Sequence, residues 1–281
     1  MTDSIAIVGM PFLACSLLGV MLGVLGIHVV KREIIFVDIA MAQISAVGTI
    51  LAHLLFEVHD ESAVAFVSAL AMIGLASVFF ATARRRLPQV SLEAIIGVTY
   101  AVSAGAALFL VGIAPGGHIH VQKLLSGNLL WTNQTDMMWM AAIFSPVIGV
   151  LYGARHHLTE LTAVPHAIGS ESTKALAWDV LFYVMLGMVI TLGVRLAGIV
   201  VVFAYLVIPA TLSLLFCTGP GKRVLIISST SIMASGMGLA FAYKLDFSVG
   251  PSIALFLGLE LILAVVIQRM RGLLTCVASD T

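Results

Sequence analysis

The sequence predicts an all-α, polytopic membrane protein, and three observations carry that prediction. Hydrophobic residues make up 60% of the 281-residue chain, and mean hydropathy is +1.12. Charged residues make up only 10%, where a water-soluble domain carries about a quarter. The apolar residues also fall in runs of eighteen or more, long enough as helices to cross a hydrocarbon core about 30 Å thick. With 14 basic and 14 acidic residues the chain has no net field for nucleic acid, and no basic stripe with interleaved aromatics appears. Cys15, Cys217 and Cys276 are too few and too scattered for a disulfide framework or a zinc cage.

Nine spans are expected, at 5–29, 34–56, 61–82, 92–113, 137–154, 176–194, 197–217, 223–243 and 249–268. The link at Arg195 is so short that the sixth and seventh spans also read as one broken helix, leaving eight as an alternative. The first apolar run follows Asp3 rather than a basic segment, so it reads as a span and not a cleavable signal. With the N-terminus outside, Lys31, Arg32, Arg84, Arg85, Arg86, Arg155, Lys174, Lys222, Arg223, Arg269 and Arg271 all fall inside. Only Lys123, Arg195 and Lys244 fall outside, which predicts an N-out, C-in topology.

Two hydrophilic segments exceed simple turns. The inner loop 155–175 is polar and carries a proline and a glycine. The outer segment 114–136 begins polar and turns apolar near Lys123–Trp131, as a short re-entrant or surface helix would. The tail 272–281 is short and expected to be loose. No tandem repeat or linker interrupts the chain, so 1–281 reads as a single membrane domain. Gly19 with Gly23, and the strip Ser235-Gly236-Met237-Gly238, allow close helix approach, either within the subunit or across a dimer face.

Ionisable groups at membrane depth are the informative residues, because each is costly unless paired or hydrated. A helix counted from Arg32 puts Asp38 roughly 9 Å and Gln43 roughly 16 Å into the second span. Counted back from Arg269, Glu260 is roughly 13 Å deep. Asp38 and Glu260 are each read as either an ion-pathway group or a structural partner for a helix end. Asp179 and Glu93 lie nearer the inner surface, where they can cap helices. Asp38, Met41, Ser45 and Gly48 share one helix face, whereas Gln43 lies about 140° round from Asp38. One divalent ion reaches both only if the helix is irregular.

His118 and His120 on the outer segment are either solvated loop residues or a transient metal-handling pair. His53 reads as an interior hydrogen-bonding residue and His28 as an interfacial one. No catalytic set emerges, and HExxH, GxSxG and GxxxxGK[ST] are all absent. This chain therefore has no conventional ATP-binding loop of its own.

Several segments together resemble the membrane permease of ATP-binding-cassette importers for zinc, manganese or iron, the ABC-3 family. Phe36 to Gly48, with Asp38, Gln43 and Ser45 inside it, resembles that family's stretch of an acid, Ala-His, and a glycine five residues later. Glu93-Ala94-Ile95-Ile96-Gly97 resembles its Asp-x-x-Ile-Gly block. Lys123 to Leu130, containing Gly127 and Asn128, resembles its Leu-Phe-Gly-Asn segment. Val194 to Gly198 and Leu206-Val207-Ile208-Pro209-Ala210 resemble its Val-Lys-x-x-Gly and Ile-Pro-Ala blocks, and Val249-Gly250-Pro251 its Thr-Gly-Pro. The blocks run in family order from about 32 to 255.

One departure matters. The family's histidine sits four residues after its acid, but here the position is Gln43, five residues after Asp38. Glutamine offers a hard carbonyl oxygen in place of imidazole, which shifts ligand preference from zinc toward manganese. The resemblance implies a type II importer permease in the bacterial inner membrane whose only bound species is the transported divalent ion, with ATP and magnesium on a partner. It implies a second permease subunit, identical or related, a cytoplasmic ATPase dimer and an extracytoplasmic metal-binding protein. Pro165-His166-Ala167-Ile168-Gly169 resembles the family's ATPase-coupling stretch. An ion-coupled secondary carrier, a chelate or siderophore permease and an intramembrane enzyme are the competing readings.

Overall fold

Hydropathy marks where the chain can be buried in lipid, and capping chemistry sets where each helix starts and stops. A computed structural model describes the backbone of residues 2–56, 62–113, 127, 129–154, 173–217 and 219–279, with the side chains of those between 9 and 270. The helices are α1 (Thr2–Lys31), α2 (Val37–Phe56), α3 (Ala63–Arg86), α4 (Leu92–Ile113), α5 (Gln134–Gly153), α6 (Thr173–Ala197), α7 (Ile199–Phe216), α8 (Pro220–Leu245) and α9 (Val249–Ser279). Among the described residues each of the nine contains a segment long and apolar enough to cross a bilayer, matching the nine expected spans.

The boundaries move for identifiable reasons. Ser62 caps α3, its hydroxyl accepting from the Ala65 N–H at 3.1 Å, and the helix runs on to Arg86 because Arg84–Arg86 complement its C-terminal dipole. A reciprocal capping box starts α5 early: Asn133 accepts from the Asp136 N–H at 3.0 Å, and Asp136 accepts from the Asn133 N–H at 3.1 Å. Thr173, Lys174 and Ala175 belong to α6 rather than to the expected loop 155–175. The tail expected to be loose is helical as far as Ser279. Of the surface or re-entrant helix expected near 123–131, residues 123–126 and 128 lie outside the described residues, and Leu129–Trp131 form a 3-10 turn.

Contacts between helices give their directions. Arg32 at the end of α1 meets Asp179 near the start of α6, while Gly193 of α6 packs on Leu18 of α1, so these two helices are antiparallel. Gly19, Gly23 and Gly26 of α1 pack in turn on Tyr205, Pro209 and Ala210 of α7, so α1 and α7 are parallel. The chain therefore reverses at Gly198, whose φ of +82° a side chain would strain. That reversal decides for nine crossings over eight.

Gly19 and Gly23 of α1 also face Ser231 and Ile227 of α8, which runs antiparallel to α1. Gly238 of α8 packs on Ile253 of α9. Both small-residue strips are thus used within the subunit. In lipid, where apolar surface gains little by leaving the solvent, such close backbone contact supplies much of the packing energy. One end of the bundle gathers Lys31, Arg32, Arg84–Arg86, Lys174, Lys222 and Arg223. The other holds Gly127 against Ala197 and Gly198.

Candidate ion site in the second span

The turn that delivers α2 places Asp38. Residues 32–36 are not helical, and Glu33 adopts a φ of +56°. Asp38 therefore stands in the first turn of α2 instead of six residues down a helix from Arg32. The helical count from Arg32 therefore does not apply to it, and it is fully buried at 0% exposure. Neither carboxylate oxygen makes a well-formed hydrogen bond among the described residues, and the backbone N–H groups of Asp38 and Ile39 at the start of α2 are the polar groups bearing on it. An ionised carboxylate in that setting is strongly disfavoured until a cation or proton reaches it.

α2 is regular from Val37 to Phe56, so Asp38 and Gln43 keep their angular separation and do not converge on one point within the chain. The Asp38–Met41–Ser45–Gly48 face packs inward. Met41 Sδ would lie 3.2 Å from a methyl group at Gly187 of α6. Gly48 abuts Ala69 of α3, and the Ser68 hydroxyl donates to its carbonyl at 2.8 Å. Ser45 is buried, and its carbonyl accepts from the Thr49 hydroxyl at 3.2 Å. Gln43 is half-buried and shares the opposite, more open side of α2 with Ile39 and the exposed Phe36.

Glu260 lies elsewhere. It sits on α9, half-buried, with both carboxylate oxygens enclosed and unpartnered, and α2 does not pack extensively on α9. The structure thus does not bring Asp38 and Glu260 together. Among the described residues no three His, Cys, Asp or Glu side chains form a group able to hold a metal. Among the described residues, an ion site at α2 therefore draws on backbone, amide or hydroxyl oxygens beside Asp38.

Two features escaped sequence reasoning. Asp179 was expected to cap a helix but instead pairs with Arg32, Nη1 to Oδ1 at 3.1 Å, with both side chains buried. The Arg32 guanidinium also lies 4.3 Å from the Phe182 ring centre, and His28 meets the same ring edge-on. Opposite charges predicted on one side of the membrane were the available signal. Tyr205, Ser231 and Ser235 form a second polar cluster, for which a tyrosine inside an apolar span and serines four apart were the only hints.

Two of the family-like blocks meet in space. Gly127 (φ +65°) sits directly against Ala197 and Gly198, leaving no room for a side chain. Pro209 packs on Gly23, and Gly250 with Pro251 opens α9. Glu93 occupies the first turn of α4, where its charge favours the helix dipole, while Gly97 has open space around it. His118, His120, Asn128 and Pro165, His166, Ala167, Ile168 and Gly169 lie outside the described residues.

A many-span helical bundle with a buried acid at the start of its second span defines the class, an integral membrane protein. The chain belongs to the ABC 3 transport family, whose pattern matches residues 5–268. It is 22% identical to the manganese import system permease protein ScaB of Streptococcus parasanguinis, over 85% of this chain and 82% of that one. It is also 22% identical to the high-affinity zinc uptake system membrane protein ZnuB of Haemophilus influenzae, over 82% and 86%. Against the first chlamydial relatives the match spans only about 60% of their length. The fold is similar to that of PsaBC from Streptococcus pneumoniae, solved with a Fab, at a TM-score of 0.77 and 18% identity over 94% of this chain and 93% of that one.

Proposed function

We propose that this chain is the membrane permease of an ATP-binding-cassette importer that carries a divalent transition-metal ion into the cytoplasm. The observation that carries the reading is Asp38, a fully buried carboxylate with no well-formed hydrogen bond among the described residues, inside the stretch that resembles the family's acidic block. Such a group is held either as the neutral acid or beside a cation, and alternating access would open it to the ion in one state of the cycle. In one state the carboxylate is packed away. In the other it is exposed to the ion.

Gln43 stands on the open side of α2, where a second permease subunit, identical or related, would meet it. Its carbonyl oxygen suits manganese better than zinc. ATP binding drives the change only if the ATPase favours one of the two permease states. The ATPase dimer docks on the inner loop bearing Pro165–Gly169, and an extracytoplasmic binding protein delivers the ion to the opposite face. The chain lies in the bacterial inner membrane with its N-terminus outside and its C-terminus inside. The gathering of basic clusters at one end of the bundle supports that orientation.

The test is reconstitution. The chain with its ATPase and binding protein, in proteoliposomes, should accumulate radiolabelled manganese or zinc only when ATP is present on the ATPase side. Accumulation that follows an imposed proton or sodium gradient without ATP would refute the proposal in favour of a secondary carrier.

A further inference from the structure

The polar cluster among α1, α7, α8 and α9 has no role in the proposal above. Its geometry follows from the antiparallel packing of α8 and α9. A methyl group at Gly238 would lie 2.6 Å from Ile253 Cγ1 and 2.8 Å from Ile253 Cα, so these two residues face each other. Two helical turns farther along each helix, in opposite directions, the same faces present Ser231 and Glu260. Ser235 is one turn from Ser231 on that face. Tyr205 reaches in from α7, its hydroxyl 2.5 Å from Ser235 Oγ. From α1, Gly19 leaves room for the Tyr205 ring and for Ser231, whose Cβ would be 2.9 Å from an added methyl. Ser16 lies one turn before Gly19.

Hydrogen accounting leaves this pocket incomplete. Ser235 donates to the Ser231 carbonyl at 2.6 Å, so the hydrogen between Tyr205 and Ser235 belongs to tyrosine. Tyr205 Oη therefore has both lone pairs free. Glu260 Oε1 and Oε2, Ser231 Oγ and Ser16 Oγ are enclosed and have no partner among the described residues. Ser231 is 0% exposed and Ser16 9%. The other titratable groups facing the pocket are the Cys15 thiol and the Tyr205 phenol, both within electrostatic reach of one another, and Glu260 is within reach of Tyr205. The set is oxygen-rich, contains one carboxyl group that becomes a single negative charge when ionised, and faces no described cationic side chain.

We propose that Glu260, Tyr205, Ser231 and Ser16 form an intramembrane site for a hard monovalent cation, sodium, separate from the Asp38 site. Carboxylate and hydroxyl oxygens are hard ligands, and the only soft group nearby is a neutral thiol. A single positive charge brings the pocket to neutrality. A divalent ion would leave an uncompensated charge in a medium that solvates it poorly. Bound sodium ties α1, α7, α8 and α9 together at mid-membrane.

The full chain, purified in lipid nanodiscs, tests the site with sodium chloride titrated against choline chloride at constant ionic strength. Thermal unfolding and equilibrium binding of radiolabelled sodium are read in parallel. In the wild type the unfolding temperature should rise to a plateau with sodium, and labelled sodium should bind saturably. Glu260→Gln should weaken binding by roughly tenfold or more and abolish the thermal shift. Ser231→Ala, a milder change that keeps the carboxyl, should weaken both in part. The proposal is overturned if the wild type shows neither effect, the result expected of a permanently protonated Glu260. Sodium binding by Glu260→Gln equal to that of the wild type would overturn it as well.

Discussion

Replacing Asp179 by alanine tests the buried pair at the end of α1 most sharply. The Arg32 side chain is 1% exposed and that of Asp179 is 8%, so solvent screens their attraction very little. Arg32 Nε and Nη2 have no other described partner, and the Phe182 face is the main remaining compensation for the charge. Leaving one member of a buried pair uncompensated costs about 3–5 kcal/mol. The retained cation–π contact and the ability of a long side chain to stretch toward the interface return about 1–2 kcal/mol. A net loss of about 1–4 kcal/mol is expected for Asp179→Ala. Replacing both residues with apolar ones, Arg32→Met with Asp179→Leu, should recover most of it, because the pair pays a desolvation penalty that the apolar pair avoids. Reversible unfolding in mixed micelles of the wild type, Arg32→Met, Asp179→Leu and their double variant closes the cycle, with Asp179→Ala measured beside it. Additive losses, with an interaction energy below about 0.5 kcal/mol, would show that the ion pair is incidental.

Three further outcomes follow from named contacts. Gly26→Ala forces a methyl group onto the Leu206 carbonyl oxygen and should destabilise the chain by about 1–3 kcal/mol in the same micelle assay. Gly97→Ala, at a position with open space, should change stability by no more than about 0.5 kcal/mol, and a larger loss would contradict the local packing of α4. Gln43→His restores an imidazole to the open side of α2, so the ratio of zinc to manganese uptake should rise, and an unchanged ratio would remove Gln43 from the ion's path.

The spans were legible because hydropathy and helix length are local properties, and all nine apolar runs became helices. Their ends were less so. The capping box at Asn133 and Asp136 lies in a polar stretch that hydropathy excludes, and Arg84–Arg86 extend a helix that hydropathy ends. Asp38 was identifiable as an acid in an apolar context, but its depth was not, since the turn at 32–36 breaks the count from Arg32. The angular separation of Asp38 and Gln43 was correct from helical geometry alone. What no local pattern encoded was contact between distant segments. The Arg32–Asp179 pair joins residues 147 apart, and Tyr205 meets Ser235 across 30. The contact of Gly127 with Ala197 and Gly198 leaves no room for a side chain at 127, while the φ of +82° favours glycine at 198, and neither requirement shows in its own segment.

Metal uptake with Asp38 changed is the most direct test of the central claim. Cells expressing the chain with its ATPase and binding protein are given radiolabelled manganese and zinc, and Asp38→Ala is compared with the wild type at matched membrane levels. Uptake of one metal that is present in the wild type and lost in the variant is the predicted result. Undiminished uptake by Asp38→Ala would contradict the assignment of that carboxylate to the ion's path.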